Sequence, residues 1–193
     1  GYEVSALELA DANIAAFKKK LTPEDKIDLV QGNALDLSRY ADKSFDIVLL
    51  FGPLYHLKND VDKQKCISEA KRVCKDGGKI FFAFISNDFV FLTEFGYDVN
   101  YFSNGDYDKE TFKLNDFPFV FHTVGAARKL LADGGINILH EVASDGASEL
   151  LAARINEMSD EDYTQYLRYH FYICEKPELL GMTNHLLFMG EKK

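Results

Sequence analysis

The sequence has 193 residues and a mass of 21.9 kDa, the size of one domain or of one domain with a cap. Apolar residues make up 47% and charged residues 27%, which allows a sizeable core and excludes a disordered chain. Twenty-two Lys and Arg against 31 Asp and Glu leave a formal charge of −9, so neither nucleic acid nor an anionic membrane surface is expected as a partner; both need clustered cations. No apolar run reaches the roughly 20 residues of a membrane helix. The three cysteines, Cys66, Cys74 and Cys174, form no C-x-x-C pair and predict reduced thiols in a cytoplasmic protein.

In chain order, Tyr2–Glu8 reads as a short strand ending on an acid. Ile14, Phe17 and Leu21 share one face of a helix over 11–21, with Asp11 placed to cap it and Thr22-Pro23 to stop it. Lys26–Val30 alternates as a strand and runs into Gly32-Asn33-Ala34-Leu35-Asp36. Phe45–Phe51 is a continuous apolar run, expected as a strand buried on both faces. An amphipathic helix over 60–75 carries Cys66, Ile67, Ala70, Val73 and Cys74 inward and stops at Gly77-Gly78; Lys79–Ile85 is a further buried strand.

Residues 87–122 are rich in aromatics and acids without a clean period, and read as an inserted cap. A helix over 123–132, a strand over 136–142, helices over 148–158 and 160–174, and a last strand over 186–189 complete the order. Ser159-x-x-Asp162 opens the second of those helices as a variant capping box, and Tyr163, Tyr166, Leu167, His170, Phe171 and Cys174 form its expected packing face. The pattern predicts an α/β fold: a Rossmann-like, mostly parallel sheet with helices on both faces and a helical, aromatic-rich cap. Its core spans 1–86 and 123–193, with a helical insertion over 147–181.

In an open parallel sheet, ligands bind outside the carboxyl ends of the strands. That rule selects Glu8, Asn33-Ala34, Gly52-Pro53-Leu54-Tyr55-His56 and Ser86-Asn87. A carboxylate at a strand end can accept both hydroxyls of a ribose. Tyr55 and His56 follow the third strand, where an imidazole could take a proton near neutral pH. His140 sits mid-strand with no evident partner, and no group of His, Cys, Asp or Glu has metal-ligand spacing, so no metal is expected.

Glu8 at a strand end, GNALDLS over 32–38, SFDIVLLFGPLYHL over 44–57 and AKRVCKDGGKIFFAFIS over 70–86 resemble the successive motifs of class I S-adenosylmethionine-dependent methyltransferases. FGPLYHL, with GMTNHLLF over 181–188, resembles a bacterial small-molecule subgroup. The resemblance implies S-adenosylmethionine as cofactor and methyl transfer to a small-molecule N or O acceptor. Glu8 would hold the ribose, and Leu9 would face adenine. Asn33 would meet the adenine amino group, with Ala34 and Leu35 along the ring; Phe51 and Gly52 would sit beside the methionyl end. Tyr55 and His56 become the catalytic candidates, and His122, Asn184 and His185 acceptor contacts. The last two require a final strand that runs antiparallel at the sheet's edge, and a homodimer is compatible with the family. The cap aromatics, among them Phe89, Phe91, Tyr101, Tyr107 and Phe119, would form a lid that excludes water and favours a flat or cationic acceptor.

The family's strand and Gly-rich turn, which precede the acidic strand, have no counterpart in this sequence. The expectation is a sheet open by one strand between Tyr2–Glu8 and Phe45–Phe51, a chain unstable by itself, and roughly 40–50 natural residues ahead of Gly1. Two other functions stay open on the residues alone: an NAD-dependent oxidoreductase, since Glu8 suits either nucleotide, and a non-catalytic binding module of methyltransferase type.

Overall fold

The structure, a computed structural model, describes all 193 residues. Strand β1 (Val4–Glu8), helix α1 (Asp11–Lys18) and strand β2 (Ile27–Gln31) form a parallel two-stranded unit with Glu8 opposite Gln31. The second sheet contains β3 (Phe45–Leu50), β4 (Cys74–Ser86), β5 (Phe121–His122), β6 (Ile136–Ala143) and β7 (His185–Lys192). Its order is β3-β4-β7-β6, with β5 pairing the end of β4. β3 and β5 run parallel to β4, whereas β7 runs antiparallel to both β4 and β6. The remaining helices are α2 (Asp60–Val73), α3 (Asn87–Tyr97), α4 (Tyr101–Asn104), α5 (Val124–Asp133), α6 (Ala152–Ile155) and α7 (Asp160–Ile173). None is long and apolar enough to cross a membrane.

The core lies where β4, β7 and β6 meet α2 and α5. Phe82, Phe84, Phe188, Leu186, Ile67 and Leu131 are fully buried there, and Phe84 meets Phe188 edge to face at 5.6 Å. Side chains at helix starts supply the missing acceptors: Asn59 takes the Asp62 amide at 2.8 Å, Thr123 that of Ala126 at 3.1 Å, and Ser159 that of Asp162 at 3.1 Å. Gly135, at φ +68°, turns the chain out of α5 in a conformation that other residues rarely adopt. Arg72 fixes the approach to β3 by donating to the Leu37 and Tyr40 carbonyls, at 2.8 and 2.9 Å, and to the carboxylates of Asp42 and Glu69.

Several sequence expectations are corrected. β3 is not buried on both faces: Ile47 is 50% and Leu49 57% exposed, because β3 has a strand partner on one side only. By contrast, the absence of pairing between β1 and β3 agrees with the expected gap between Tyr2–Glu8 and Phe45–Phe51, and Leu50 is the first buried residue of the chain. Gly77-Gly78 does not stop α2; β4 already begins at Cys74, and Gly78 lies where a Cβ would come within 2.8 Å of the Asp46 carbonyl. Asp11 is no N-cap; Ala10 holds that position, and the Glu8 carboxylate accepts the Ala10 amide at 2.8 Å. The expected helix over 148–158 contracts to α6. Helix α7 buries none of its residues; of the expected stripe only Cys174, just past its end, is buried. The final strand is antiparallel but interior, with β6 outside it, because β7 bonds to neighbours on both sides.

This distribution predicts unequal costs of truncation. Phe82→Ala should lower unfolding stability by about 3–5 kcal/mol, and Leu49→Ala by under about 1 kcal/mol, since half-exposed side chains leave little cavity. Urea denaturation checks the contrast, and equal losses would contradict it.

Candidate active site

In the larger sheet the carboxyl ends of β4 and β5 lie beside the start of β7. β1 and β2 end side by side, and the Gly32 amide donates to the Glu8 carbonyl at 3.0 Å. One Glu8 carboxylate oxygen is held by Ala10, and the other has no partner in the chain. The Asn33 side-chain oxygen accepts the Leu35 amide at 2.9 Å, which leaves its NH2 group free to donate. Leu9 and Phe51 are exposed, whereas Ala34 and Leu35 pack partly against the core. Gly52, at φ +154°, opens the turn Pro53–Tyr55, and its carbonyl accepts the Tyr55 amide at 3.2 Å.

Tyr55 and His56 cluster with Phe119 of the cap, ring centroids 5.0–6.2 Å apart. Burial pushes the Tyr55 phenol above its ordinary value, so it stays protonated at neutral pH. His56 is exposed and has no hydrogen-bond partner, so nothing in the chain selects one tautomer. Asn87, buried at the start of α3, holds the cap by donating to the Phe112 carbonyl at 3.0 Å and accepting the Leu114 amide at 2.9 Å.

His122 lies inside the fold, 6% exposed, against the ring of Phe84. Neither ring nitrogen has a hydrogen-bond partner. Burial, helped by the positive charges of Lys63 and Lys113 and opposed by Asp116 and the Val120 carbonyl, pushes its pKa down to about 4. Neutral His122 is therefore the folded form at physiological pH.

On the far side of β4, the opening of β7 carries a polar network that the sequence reading only half identified. His185 Nδ1 donates to Asp145 at 2.8 Å, and Asn184 bonds Glu149 and, at 3.3 Å, Thr93. The hydrogen bond to Asp145 raises the His185 pKa, with a smaller opposing effect of burial and support from the charges of Asp145 and Glu149. Nothing in the sequence joins Asp145 to a histidine 40 positions later. His140 likewise has a partner after all, Glu175 at 2.9 Å, on the surface. Two surface clefts, of about 580 Å³ beside α6 and α7 and about 410 Å³ between Leu35 and Arg72, touch none of the proton-transfer candidates.

A family model described as a methyltransferase domain matches residues 1–82. A demethylmenaquinone methyltransferase of Clavibacter sepedonicus is 33% identical over 100 residues, 51% of this chain and 39% of that protein. The chain thus matches about two-fifths of the length of this curated relative. A crystal structure of a S-adenosylmethionine-dependent methyltransferase from Methanosarcina mazei superposes on all of the chain and 82% of its own, with a TM-score of 0.58 and 16% identity. The fold is that of a class I methyltransferase. A [4+2]-cyclase shares it at a TM-score of 0.56 and 16% identity, over 98% of this chain and 66% of its own, so chemistry must be argued from residues rather than from the fold.

The buried imidazole gives a pH prediction. The folded pKa of His122 lies below the unfolded value of 6.5, so its contribution to stability is complete above pH 6.5 and is lost as the pH falls through about 4. The full loss corresponds to about 3 kcal/mol, at ~1.4 kcal/mol per pH unit. His122→Asn should flatten the fall in urea-unfolding stability between pH 7 and pH 4.5; an undiminished fall would contradict this.

Proposed function

We propose that the chain carries the nucleoside-binding edge and part of the acceptor site of a S-adenosylmethionine-dependent methyltransferase that acts on a small-molecule N or O atom. The observation that carries this reading is the pairing of β1 with β2. It sets a half-free carboxylate (Glu8) and a free amide donor (Asn33) at neighbouring strand ends, with exposed Leu9 one residue on. These groups fit a nucleoside: Glu8 takes the ribose hydroxyls, and the Asn33 NH2 group suits a ring nitrogen of adenine better than its amino group. Phe51 and Gly52 flank the methionyl end, where the unusual φ of Gly52 keeps the backbone bare.

When bound, the cofactor supplies an electrophilic methyl group on a sulfonium. The chain's own work is to align the acceptor, exclude water and accept a proton where the nucleophile still holds one. Tyr55 and His56 stand on the acceptor side, under Phe119 of the cap. Neutral, partnerless His122 offers a hydrogen-bonding atom to a polar acceptor or an ordered water. The cap aromatics around Phe91 and Tyr107, in edge-to-face contact at 4.7 Å, form the lid.

The test is calorimetric titration of the protein with S-adenosylhomocysteine and, separately, with NAD. The first should bind and the second should not. Glu8→Ala should weaken binding about 10- to 100-fold, the equivalent of charge-assisted hydrogen bonds of about 1.5–3 kcal/mol. An unchanged dissociation constant would remove Glu8 from the site, and binding of NAD alone would favour an oxidoreductase.

A further inference from the structure

Because β7 runs antiparallel to β4, its first residue lies at the carboxyl end of β4: His185 sits opposite Ile85, and the Ser86 amide donates to the Asn184 carbonyl at 2.8 Å. On the other side the Ser144 amide donates to the His185 carbonyl at 3.0 Å, which brings Asp145 alongside. The Asp145 carboxylate is anchored independently of the imidazole. One oxygen accepts the backbone amide of His185 at 3.1 Å and the hydroxyl of Thr183, a fully buried residue whose oxygen also accepts the Gly146 amide at 3.1 Å. The other oxygen accepts His185 Nδ1 at 2.8 Å.

An ionised carboxylate can only accept, so Nδ1 carries the proton and the lone pair of the neutral ring is on Nε2. Burial works against ionisation of Asp145, but the hydrogen bonds from His185 and Thr183 outweigh it and hold its pKa below the ordinary value. Nε2 has no partner in the chain, and the His185 side chain is 58% exposed whereas that of Asp145 is 25% exposed. An acid-held tautomer with an open Nε2 is the arrangement of an imidazole that accepts protons. His56 lacks any such partner.

We propose that His185, oriented by Asp145, is the proton acceptor of the reaction, for an acceptor molecule whose nucleophilic nitrogen or oxygen still bears a proton when it binds. The proposal rests on the methyltransferase reading above. As the nucleophile's electron pair forms a bond to the sulfonium methyl carbon, the carbon–sulfur bond breaks and its pair stays on sulfur as a thioether. The proton lost by the nucleophile goes to Nε2, and the imidazolium releases it to water. Asp145 is a positioning residue: it fixes the tautomer and stabilises the charged ring. The other polar and titratable groups of this edge are Glu149 and Ser144 beside Asp145, Thr93 and Tyr97 of α3, Asn184 on the same strand, Ser86 and His122 at the ends of β4 and β5, and Tyr166 and His170 of α7. Glu149 takes the Tyr97 hydroxyl at 3.1 Å and adds negative charge that favours the imidazolium. His170 is engaged with the Ser144 carbonyl at 3.1 Å and makes no hydrogen bond to Asp145.

The experiment combines ring NMR with turnover on the whole protein, using His185→Gln and Asp145→Asn. In the unmodified protein the His185 ring should titrate above 6.5 with the neutral proton on Nδ1. In Asp145→Asn the pKa should fall and the tautomer preference should weaken. Release of S-adenosylhomocysteine from S-adenosylmethionine, with a panel of phenols and primary amines as acceptors, should drop about 10²- to 10⁴-fold at pH 7 in His185→Gln. The deficit should shrink as the pH rises and the acceptor loses its proton unaided. The dissociation constant of S-adenosylhomocysteine should stay within twofold in both variants. A ring that titrates at or below 6.5, or turnover unaffected by His185→Gln, would overturn the proposal while leaving the methyltransferase reading intact. An unmodified protein that neither binds S-adenosylhomocysteine nor releases it would overturn both.

Discussion

Strand β7 enters the sheet between β4 and β6 and runs against each of them, so Thr183, Asn184 and His185 arrive at the end where β4 and β6 leave. Reversing that one strand would carry His185 to the opposite end of the sheet, some 25 Å away at about 3.3 Å per residue. The pairing is secured by the most buried side chains of the fold. Leu186 and Phe188 alternate inward along β7, and Phe188 abuts Phe84 of β4, two residues before Ser86. Core packing and the polar edge are therefore consecutive stretches of the same two strands. The first stretch fixes the second in place.

Two imidazoles at this edge show how neighbours decide what a histidine can do. His122 and His185 stand in β5 and β7, which flank β4, beside Ser86 and Ile85 respectively. His122 is enclosed by Phe84 and cations, and stays neutral. His185 faces a carboxylate that is anchored elsewhere and gains affinity for a proton. Their effects on stability have opposite sign. The contribution of His122 is lost as pH falls from 6.5, whereas that of His185 is present below 6.5 and is lost as pH rises through its raised pKa. Two imidazoles of opposite proton affinity thus stand on either side of one strand, β4.

The order of strands and helices was largely legible in the sequence because apolar runs and their periods obey local rules. Ser159 caps its helix as the Ser159-x-x-Asp162 spacing implies, and Glu8 and Asn33 stand at strand ends as predicted. What failed depended on neighbours. Phe45–Phe51 has the composition of a strand covered on both faces, yet composition cannot state how many partners a strand acquires, and β3 has one. The interior place of β7 was illegible for the same reason, since an alternating strand reads alike at an edge and in the middle. The Asp145–His185 contact joins residues 40 apart in sequence through two turns, a distance at which no local pattern operates. Helix α7 erred the other way: its spacing is amphipathic, but that face is only partly covered, with Tyr166, Leu167 and His170 half-buried.

Every functional role proposed for this chain rests on a nucleoside-bearing cofactor bound at the strand ends near Glu8 and Asn33 and at Phe51–Gly52. Backbone amide NMR of the protein, titrated with S-adenosylhomocysteine, tests it most directly. The amide shifts should concentrate at Glu8–Ala10, Gly32–Leu35 and Phe51–Gly52, and leave Asp160–Ile173 unchanged. Shifts confined to α6 and α7, or none at saturating ligand, would contradict it.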